Sequence, residues 1–233
     1  MNKKQPLVSF VISVYNEENF ILNSLDSILS QTYKNIEIRV VDDCSTDSTY
    51  NKLVEFEKKY KNVFLYKNEK NVGLTRSLNY LISQSKGDLI ARQDSDDLSS
   101  PYRIEKQVSL MNNYNLDFCG TRSIHMQSKR IIPKYSYYIP INILKHFKNP
   151  FIHGSLIFKK TVLEEVGFYN EKFYYAQDYK LIIDLLKKGL KCKVIKEPLY
   201  ELNMSNNISS IFKEEQQYYA NCARKGILPK VLA

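Results

Sequence analysis

An α/β fold with a mainly parallel central sheet and flanking helices is predicted by three features of this sequence. Leu7 to Val14 and Ile36 to Val41 are nearly continuous runs of apolar and β-branched residues, as in strands buried on both faces of a sheet. Segments with apolar residues at helical spacing alternate with these runs. Four such strand-helix units follow one another, which calls for right-handed crossovers.

The first strand ends at Tyr15-Asn16. Glu17 and Glu18 then suit the positive end of a helix, and Ile21, Leu22, Leu25, Ile28 and Leu29 mark its buried face. The second strand runs into Asp42-Asp43, where Ser45 or Thr46 offers an N-cap for a helix burying Leu53, Val54 and Phe56. Val63 to Tyr66 is a third short strand. Asn71-Val72-Gly73 is a turn, and Leu74, Leu78, Leu81 and Ile82 place a third helix that Gly87 stops. Asp88 to Ala91 is the fourth strand, and from Pro101 a helix runs to about Tyr114.

Beyond it, Leu116 to Gly120 reads as a strand and Ser123 to Tyr138 as an irregular, basic, tyrosine-rich hairpin or flap. Ser155 to Phe158 is a strand, and Thr161 opens a short helix ended by Gly167. Asp178 stands at the start of a helix burying Leu181, Ile182, Leu185 and Leu186. Cys192 to Ile195 is a last short strand, and Ser209 to Arg224 reads as helical.

The 233 residues suit one sizeable domain, and 43% hydrophobic residues are enough for a packed core. No apolar run approaches the ~20 residues that span a bilayer. The apolar stretch after Lys3-Lys4 reads as a strand rather than a signal peptide. The four cysteines lie far apart without a C-x-x-C pair, which argues against zinc or a disulfide scaffold and points to a cytoplasmic setting. There the glycosylation-like triplets at Asn203 and Asn207 carry no meaning. The lysines behind the net charge of +9 are dispersed. No nucleic-acid motif accompanies them, so the expected contact is a peripheral one with an anionic membrane at its cytoplasmic face.

In an open parallel sheet, ligands bind at the carboxyl ends of the strands. Those loops hold Tyr15, Asp42-Asp43, Asn71 to Arg76 and Asp94-Ser95-Asp96-Asp97. Three carboxylates within four residues repel one another unless a cation sits among them. Oxygen donors suit Mg²⁺ or Mn²⁺ shared with substrate phosphates. The same run also reads as a solvated loop whose Asp97 or Ser99 caps the next helix. Asp42-Asp43 is either a ligand pair or a capped turn. Tyr15 reads as pocket lining or a core-edge aromatic, and Phe173 to Tyr175 as an aromatic wall or core. His153 and Asp178 have structural alternatives too, a satisfied histidine and a helix-dipole carboxylate.

An ordered set of motifs resembles a known family. It comprises Val11-Ile12-Ser13-Val14-Tyr15-Asn16-Glu17-Glu18, then Val41-Asp42-Asp43-Cys44-Ser45-Thr46-Asp47, then Asn71-Val72-Gly73-Leu74 with Ser77-Leu78-Asn79. Gln93-Asp94-Ser95-Asp96-Asp97 with Pro101, His153-Gly154-Ser155, Val166-Gly167-Phe168 and Gln177-Asp178-Tyr179 follow. Over roughly residues 7 to 190 the chain resembles bacterial family two glycosyltransferases of the GT-A fold. The resemblance implies one GT-A domain over residues 1–233. Its parts are a Rossmann-like nucleotide-sugar half (1–100), an acceptor half (101–190) and a C-terminal extension (191–233).

It also implies inverting transfer of a sugar from a nucleotide diphospho-sugar to an acceptor hydroxyl. Tyr15 and Asp43 would hold the base, and an aspartate accepting from uracil N–H suggests a UDP-sugar. Ser13 and Asn16 would assist, while Asn71, Gly73 and Arg76 line the nucleotide pocket. Asp94 and Ser95 would face the nucleotide, and Asp96, with Asp94, would hold Mn²⁺ or Mg²⁺. Asp178 would be the general base, with His153 and Gln177 near the acceptor or diphosphate. The acceptor would be a glycan or lipid-linked glycan of a bacterial surface polysaccharide. Gln177 replaces the family's usual glutamate, and Tyr200-Glu201-Leu202-Asn203 lacks the basic residue often found after the last strand.

Four other classes fit less well. A nucleotidyltransferase would normally carry a glycine-rich basic loop where Tyr15-Asn16-Glu17-Glu18 stands. A non-catalytic nucleotide-sugar-binding module would not need both Asp96 and Asp178. A signalling receiver would place its acidic pair after the first strand, and a Rossmann oxidoreductase would show G-x-G-x-x-G there.

Overall fold

The computed structural model describes residues 5–204 and 212–230. The first four strands and three helices follow the predicted alternation: β1 (Val8–Val14), α1 (Ile21–Leu29), β2 (Ile36–Asp42), α2 (Thr49–Lys59), β3 (Val63–Lys67), α3 (Leu74–Gln84) and β4 (Leu89–Arg92). They are followed by β5 (Leu98–Ser99), α4 (Arg103–Tyr114), β6 (Phe118–His125), β7 (Ile131–Ile132), α5 (Ile141–Leu144), β8 (Ile157–Lys159), α6 (Lys160–Val166), α7 (Gln177–Lys187), β9 (Cys192–Leu202) and α8 (Lys213–Lys225).

All nine strands join one sheet in the order β3-β2-β1-β4-β8-β6-β9-β5, with β7 paired to β6. β3, β2, β1 and β4 are mutually parallel. Past β4 the sheet is mixed, because β8 runs antiparallel to both β4 and β6 while β9 runs parallel to β6. β1 is flanked by β2 and β4, so the chain leaves it in opposite directions across the sheet. That switch point opens a crevice at the strand ends.

Alternation along the strands builds two cores. Val8, Phe10, Ile12 and Val14 of β1, with Leu89 and Ala91 of β4, pack with Leu25 and Ile28 of α1 and Ile104 of α4. Val11 and Ile90 face the other way, onto Leu78 and Leu81 of α3, Val162 of α6 and Leu181 and Leu185 of α7. The period of two thus gives each face its helical layer. A third cluster ties α8 to α7 through Phe173, Ile183, Tyr219 and Cys222.

Several local expectations are corrected. Ser99 is a β5 residue and Asp97 accepts the Asn203 N–H at 2.7 Å, so neither caps α4. Neither Ser45 nor Thr46 caps α2. Ser48 is the N-cap residue, without a side-chain cap, and Asp47 before it accepts the Thr49 N–H at 2.9 Å. α3 ends at Gln84, ahead of Gly87. The segment after β6 forms a hairpin with β7. The last strand is 11 residues long rather than four, and its register with β6 shifts at Pro198. Gly167, at φ +79°, ends α6 as predicted. The expected start of the C-terminal helix at Ser209, and Asn207, lie outside the described residues.

Candidate functional site

The crevice is assembled from loops held by their own polar side chains. Asp43, almost fully buried, accepts hydrogen bonds from Asn68 Nδ2 (2.7 Å) and Val72 N (2.9 Å) on Oδ1 and from Gly73 N (2.9 Å) on Oδ2. It therefore binds the end of β2 to the turn before α3. Gly73 sits at φ +84°, ψ 163°, a region open essentially to glycine alone. Asp42 is buried as well. Its Oδ2 accepts the Ser45 N–H, while its Oδ1 has no hydrogen-bond partner among the described residues.

On the opposite lip, Asn16 at φ +54° donates its N–H to Ser45 Oγ (3.0 Å) and accepts the Thr46 N–H (2.8 Å). Tyr15 beside it is 46% exposed, open enough to receive a planar ligand. Ser13, two residues earlier, pairs with Val41 of β2. Asn71 is exposed. Arg76 turns to an exposed ion pair with Glu171 at 3.2 Å.

The acidic loop after β4 rests on charges and rings that sequence reading missed. Arg92 closes β4 and is fully buried. Its guanidinium donates to the Val11 and Gln93 carbonyls and to Asp94 Oδ1, and its Nε lies 3.4 Å from His153 Nε2. Arg103 of α4 is also buried, between the rings of Phe10 and Tyr200 at 5.2 Å from each centroid. It donates to Gln93 Oε1, to the Gly154 carbonyl and to the Arg92 carbonyl. Burial pulls its pKa down to about 10. Gln93 donates to Ser24 Oγ and the Asp97 carbonyl and accepts from Ser99 Oγ. Ser95 lies in the turn closed by the Asp97 N–H donating to the Asp94 carbonyl.

The carboxylates are under electrostatic tension. Burial and the neighbouring Asp94 push Asp96 up to about 6. Asp97, turned inward to Asn203 N, is pushed up to about 8 by burial and by Asp94 and Asp96. Glu17 rises to about 7 through burial and the charges of Asp96 and Asp47, so it belongs to the same acidic group. A divalent cation would relieve this repulsion, and an all-oxygen donor set suits Mg²⁺ or Mn²⁺. Among the described residues no cluster of three His, Cys, Asp or Glu side chains could hold an ion alone. Asp96 and Asp94 thus fit a metal only as partial ligands, with phosphate oxygens and water completing the shell.

His153 and Asp178 come to the same place from the far half of the chain. His153 Nε2 lies 2.8 Å from the Tyr169 hydroxyl. Arg92 can only donate, so His153 accepts on Nε2 and carries its proton on Nδ1. Burial and Arg92 lower its pKa to about 3, keeping the ring neutral. Asp178 stands in the first turn of α7, after Ala176 at φ +51°, and its Oδ2 accepts a hydrogen bond from Asn149 Nδ2 at 2.7 Å. Burial raises its pKa, and Asp94 raises it further. The buried Tyr169 hydroxyl feels Arg92, Asp178 and Asp94 together, so the acidic loop and the α7 carboxylate act on the same group. Gln177 opens α7 beside it.

Two predicted features separate. Phe173 is fully buried against α8 and is no part of an aromatic wall, whereas Tyr174 is 67% exposed with its ring edge 3.7 Å from where a Gly73 Cβ would lie. Arg92, Arg103, Tyr169 and Tyr200 are the site's unpredicted members. Tyr200 Oη accepts the Asp94 N–H at 3.0 Å.

A mixed α/β sheet with a switch-point crevice and acids after its fourth strand is the architecture of the GT-A fold. The glycosyl transferase family 2 model matches residues 9–167. An uncharacterized glycosyltransferase of Haemophilus influenzae is 32% identical over 226 residues, covering 91% of this chain and 70% of that protein. The chain belongs to glycosyl transferase family 2 and is a glycosyltransferase.

Staphylococcus aureus TarS 1-349 in complex with UDP superposes with a TM-score of 0.73 at 19% identity, covering 93% of this chain and 65% of that one. The mannosyltransferase PcManGT of Pyrobaculum calidifontis, in complex with GDP-Man and Mn²⁺, does so with a TM-score of 0.76 at 19% identity, covering 97% and 66%. At that identity the likeness is one of fold, and this chain spans less than two thirds of either neighbour's length. Among the described residues no helix is long and apolar enough to cross a membrane.

Proposed function

We propose that this protein transfers a sugar from a UDP-sugar to a hydroxyl of a glycan or lipid-linked acceptor, with inversion at the anomeric carbon, in bacterial surface polysaccharide synthesis. The observation that carries the proposal is Asp178, a carboxylate of raised pKa at a helix N-terminus, oriented by Asn149 and within electrostatic reach of Asp94.

Asp178 takes the acceptor's hydroxyl proton as that oxygen attacks the anomeric carbon. The new C–O bond forms on the face opposite the breaking bond to the diphosphate, so the configuration inverts and UDP leaves. The raised pKa makes Asp178 a stronger base than a solvated aspartate. Tyr15 stacks on the base, with Ser13, Asn16, Asn71, Gly73 and Ser95 around the nucleotide. Asp43 presents the remaining lone pair of Oδ2 to uracil while it keeps the Val72-Gly73 turn in place. Reaching the diphosphate would require Arg76 to leave Glu171, an exposed pair that costs little to break.

Asp96 and Asp94 would hold Mn²⁺ or Mg²⁺, which, when bound, supplies Lewis-acid stabilisation of the departing diphosphate. The neutral His153, fixed by Arg92 and Tyr169, leaves its Nδ1–H free for a diphosphate or acceptor oxygen, and Gln177 lies on the acceptor side. The UDP complex of TarS supports a uridine donor, and the GDP-Man complex of PcManGT makes GDP the necessary control. Asp178→Asn tests the assignment: transfer falls about 10²–10⁴-fold, the usual worth of a general base, while UDP affinity stays within twofold. Unchanged turnover in the variant rules the base assignment out.

A further inference from the structure

The lysines are dispersed, but the acids are not, and the net charge of +9 arises where acids are missing. Residues 118–163 contain eight of the 34 Lys and Arg and none of the 25 Asp and Glu. The rest of the chain is therefore almost neutral, with 26 basic against 25 acidic residues. The cations from Lys129 to Lys148 are not neutralised by folding, since Lys129, Arg130, Lys134, Lys145 and Lys148 form no ion pair among the described residues. Lys134 is engaged only with the ring of Tyr135, at 4.9 Å.

The same stretch exposes large apolar side chains that a soluble surface seldom shows together. Tyr135 is 75% exposed, Phe147 70% and Ile139 42%. These three, with Lys134 and Lys148, line an open groove of about 790 Å³ floored by Leu144 and Phe151. Exposed aromatics rimmed by unpaired lysines, with no acid in the stretch, match an anionic bilayer in both respects. The rings enter the headgroup boundary and the cations meet the lipid phosphates. The groove's edge also reaches Asp178, because Asn149 lines it while donating to Asp178 Oδ2.

We propose that the β7-α5 segment, residues 129–148, is a docking face for an anionic lipid bilayer and brings the Asp178 side of the crevice to the membrane surface. The charge and exposure arguments hold whatever the donor sugar is, and the docking test uses no nucleotide, so it stands or falls separately from the transfer chemistry.

Cosedimentation of the whole chain with vesicles tests it, using phosphatidylcholine alone and phosphatidylcholine with phosphatidylglycerol at about 3:1. Wild type pellets with the anionic vesicles and not the neutral ones, and loses binding as salt rises. Lys134→Glu/Lys148→Glu weakens binding at least tenfold, on the basis of roughly fivefold per lysine near a charged surface. Tyr135→Ser/Phe147→Ser weakens it too, at unchanged vesicle charge. Circular dichroism melting verifies that each variant is folded. Lys58→Glu/Lys61→Glu carries the same charge change on a remote surface and binds as wild type.

An equal loss in the remote variant would reduce the effect to net charge and overturn the docking face. So would equal binding to neutral vesicles, or no vesicle binding at all. Capture of an RNA oligonucleotide without vesicle binding would assign the charge to nucleic acid instead and overturn it as well.

Discussion

Asp178 has the electrostatic profile of a residue retained for chemistry at some expense of stability. Its pKa is raised in the folded state, chiefly by burial. A raised carboxylate contributes stability that is fully present below its unfolded pKa, near 3.8, and lost as pH rises through the folded value. Above that folded value the ionised group therefore strains the fold, and there Asp178→Asn keeps or raises the Tm while transfer falls about 10²–10⁴-fold, as differential scanning fluorimetry beside an activity assay would show. The rate carries the same signature. kcat/KM rises with pH through a value above 3.8, because only the ionised carboxylate accepts the proton. His153 behaves in the opposite sense. Its proton is excluded down to about 3, so it draws stability from the fold as pH falls from about 6.5 toward that value.

Between elements, the site depends on close approaches that a single methyl group would disturb. A Cβ on Gly154 would overlap Tyr200 Oη and lie 2.6 Å from Asp94 Oδ2. Gly154→Ala therefore pushes the β8 approach away from β9 and the acidic loop. We expect a loss of about 1–3 kcal/mol in urea unfolding, the usual cost of overpacking, together with weakened nucleotide binding. Far from the crevice, β2 carries a buried ion pair. Glu37 accepts from Arg39, Ser9 Oγ and Lys86 N, which hold its pKa down against desolvation. Arg39→Ala strands that carboxylate at a cost of about 3–5 kcal/mol, an effect that denaturant titration reads directly and that leaves UDP affinity intact.

The first half of the fold was legible because its strands are apolar on both faces and its helices are amphipathic, so the two periods separate cleanly. β9 was legible only at its start. Lys196, Glu197 and Pro198 interrupt its pattern, and the pairing that carries it on to Leu202 comes from β6 across the sheet. The loops holding Asp43, Asp94, Asp96 and Asp178 were visible as acids at strand and helix ends. Arg92 and Arg103 were not, because a lone arginine at a strand end or in a helix reads as solvent-facing until its carbonyl and ring partners are known. Phe173 stayed open between two readings for the converse reason: an aromatic before a helix suits a wall as well as a core, and α8 decides between them.

Across the molecule, the parallel part of the sheet presents the loops proposed to hold the nucleotide, the mixed part carries Asp178, and Arg92 and Arg103 tie the two parts together at the acidic loop. We propose that this junction binds a nucleotide diphosphate through Asp96 and a metal. Calorimetric titration of UDP, then GDP, with and without Mn²⁺, on wild type and Asp96→Ala decides it. UDP binding that requires Mn²⁺, exceeds that of GDP and is lost in Asp96→Ala is the expected result. Absence of binding by either nucleotide, or UDP binding indifferent to both Mn²⁺ and Asp96, would overturn it.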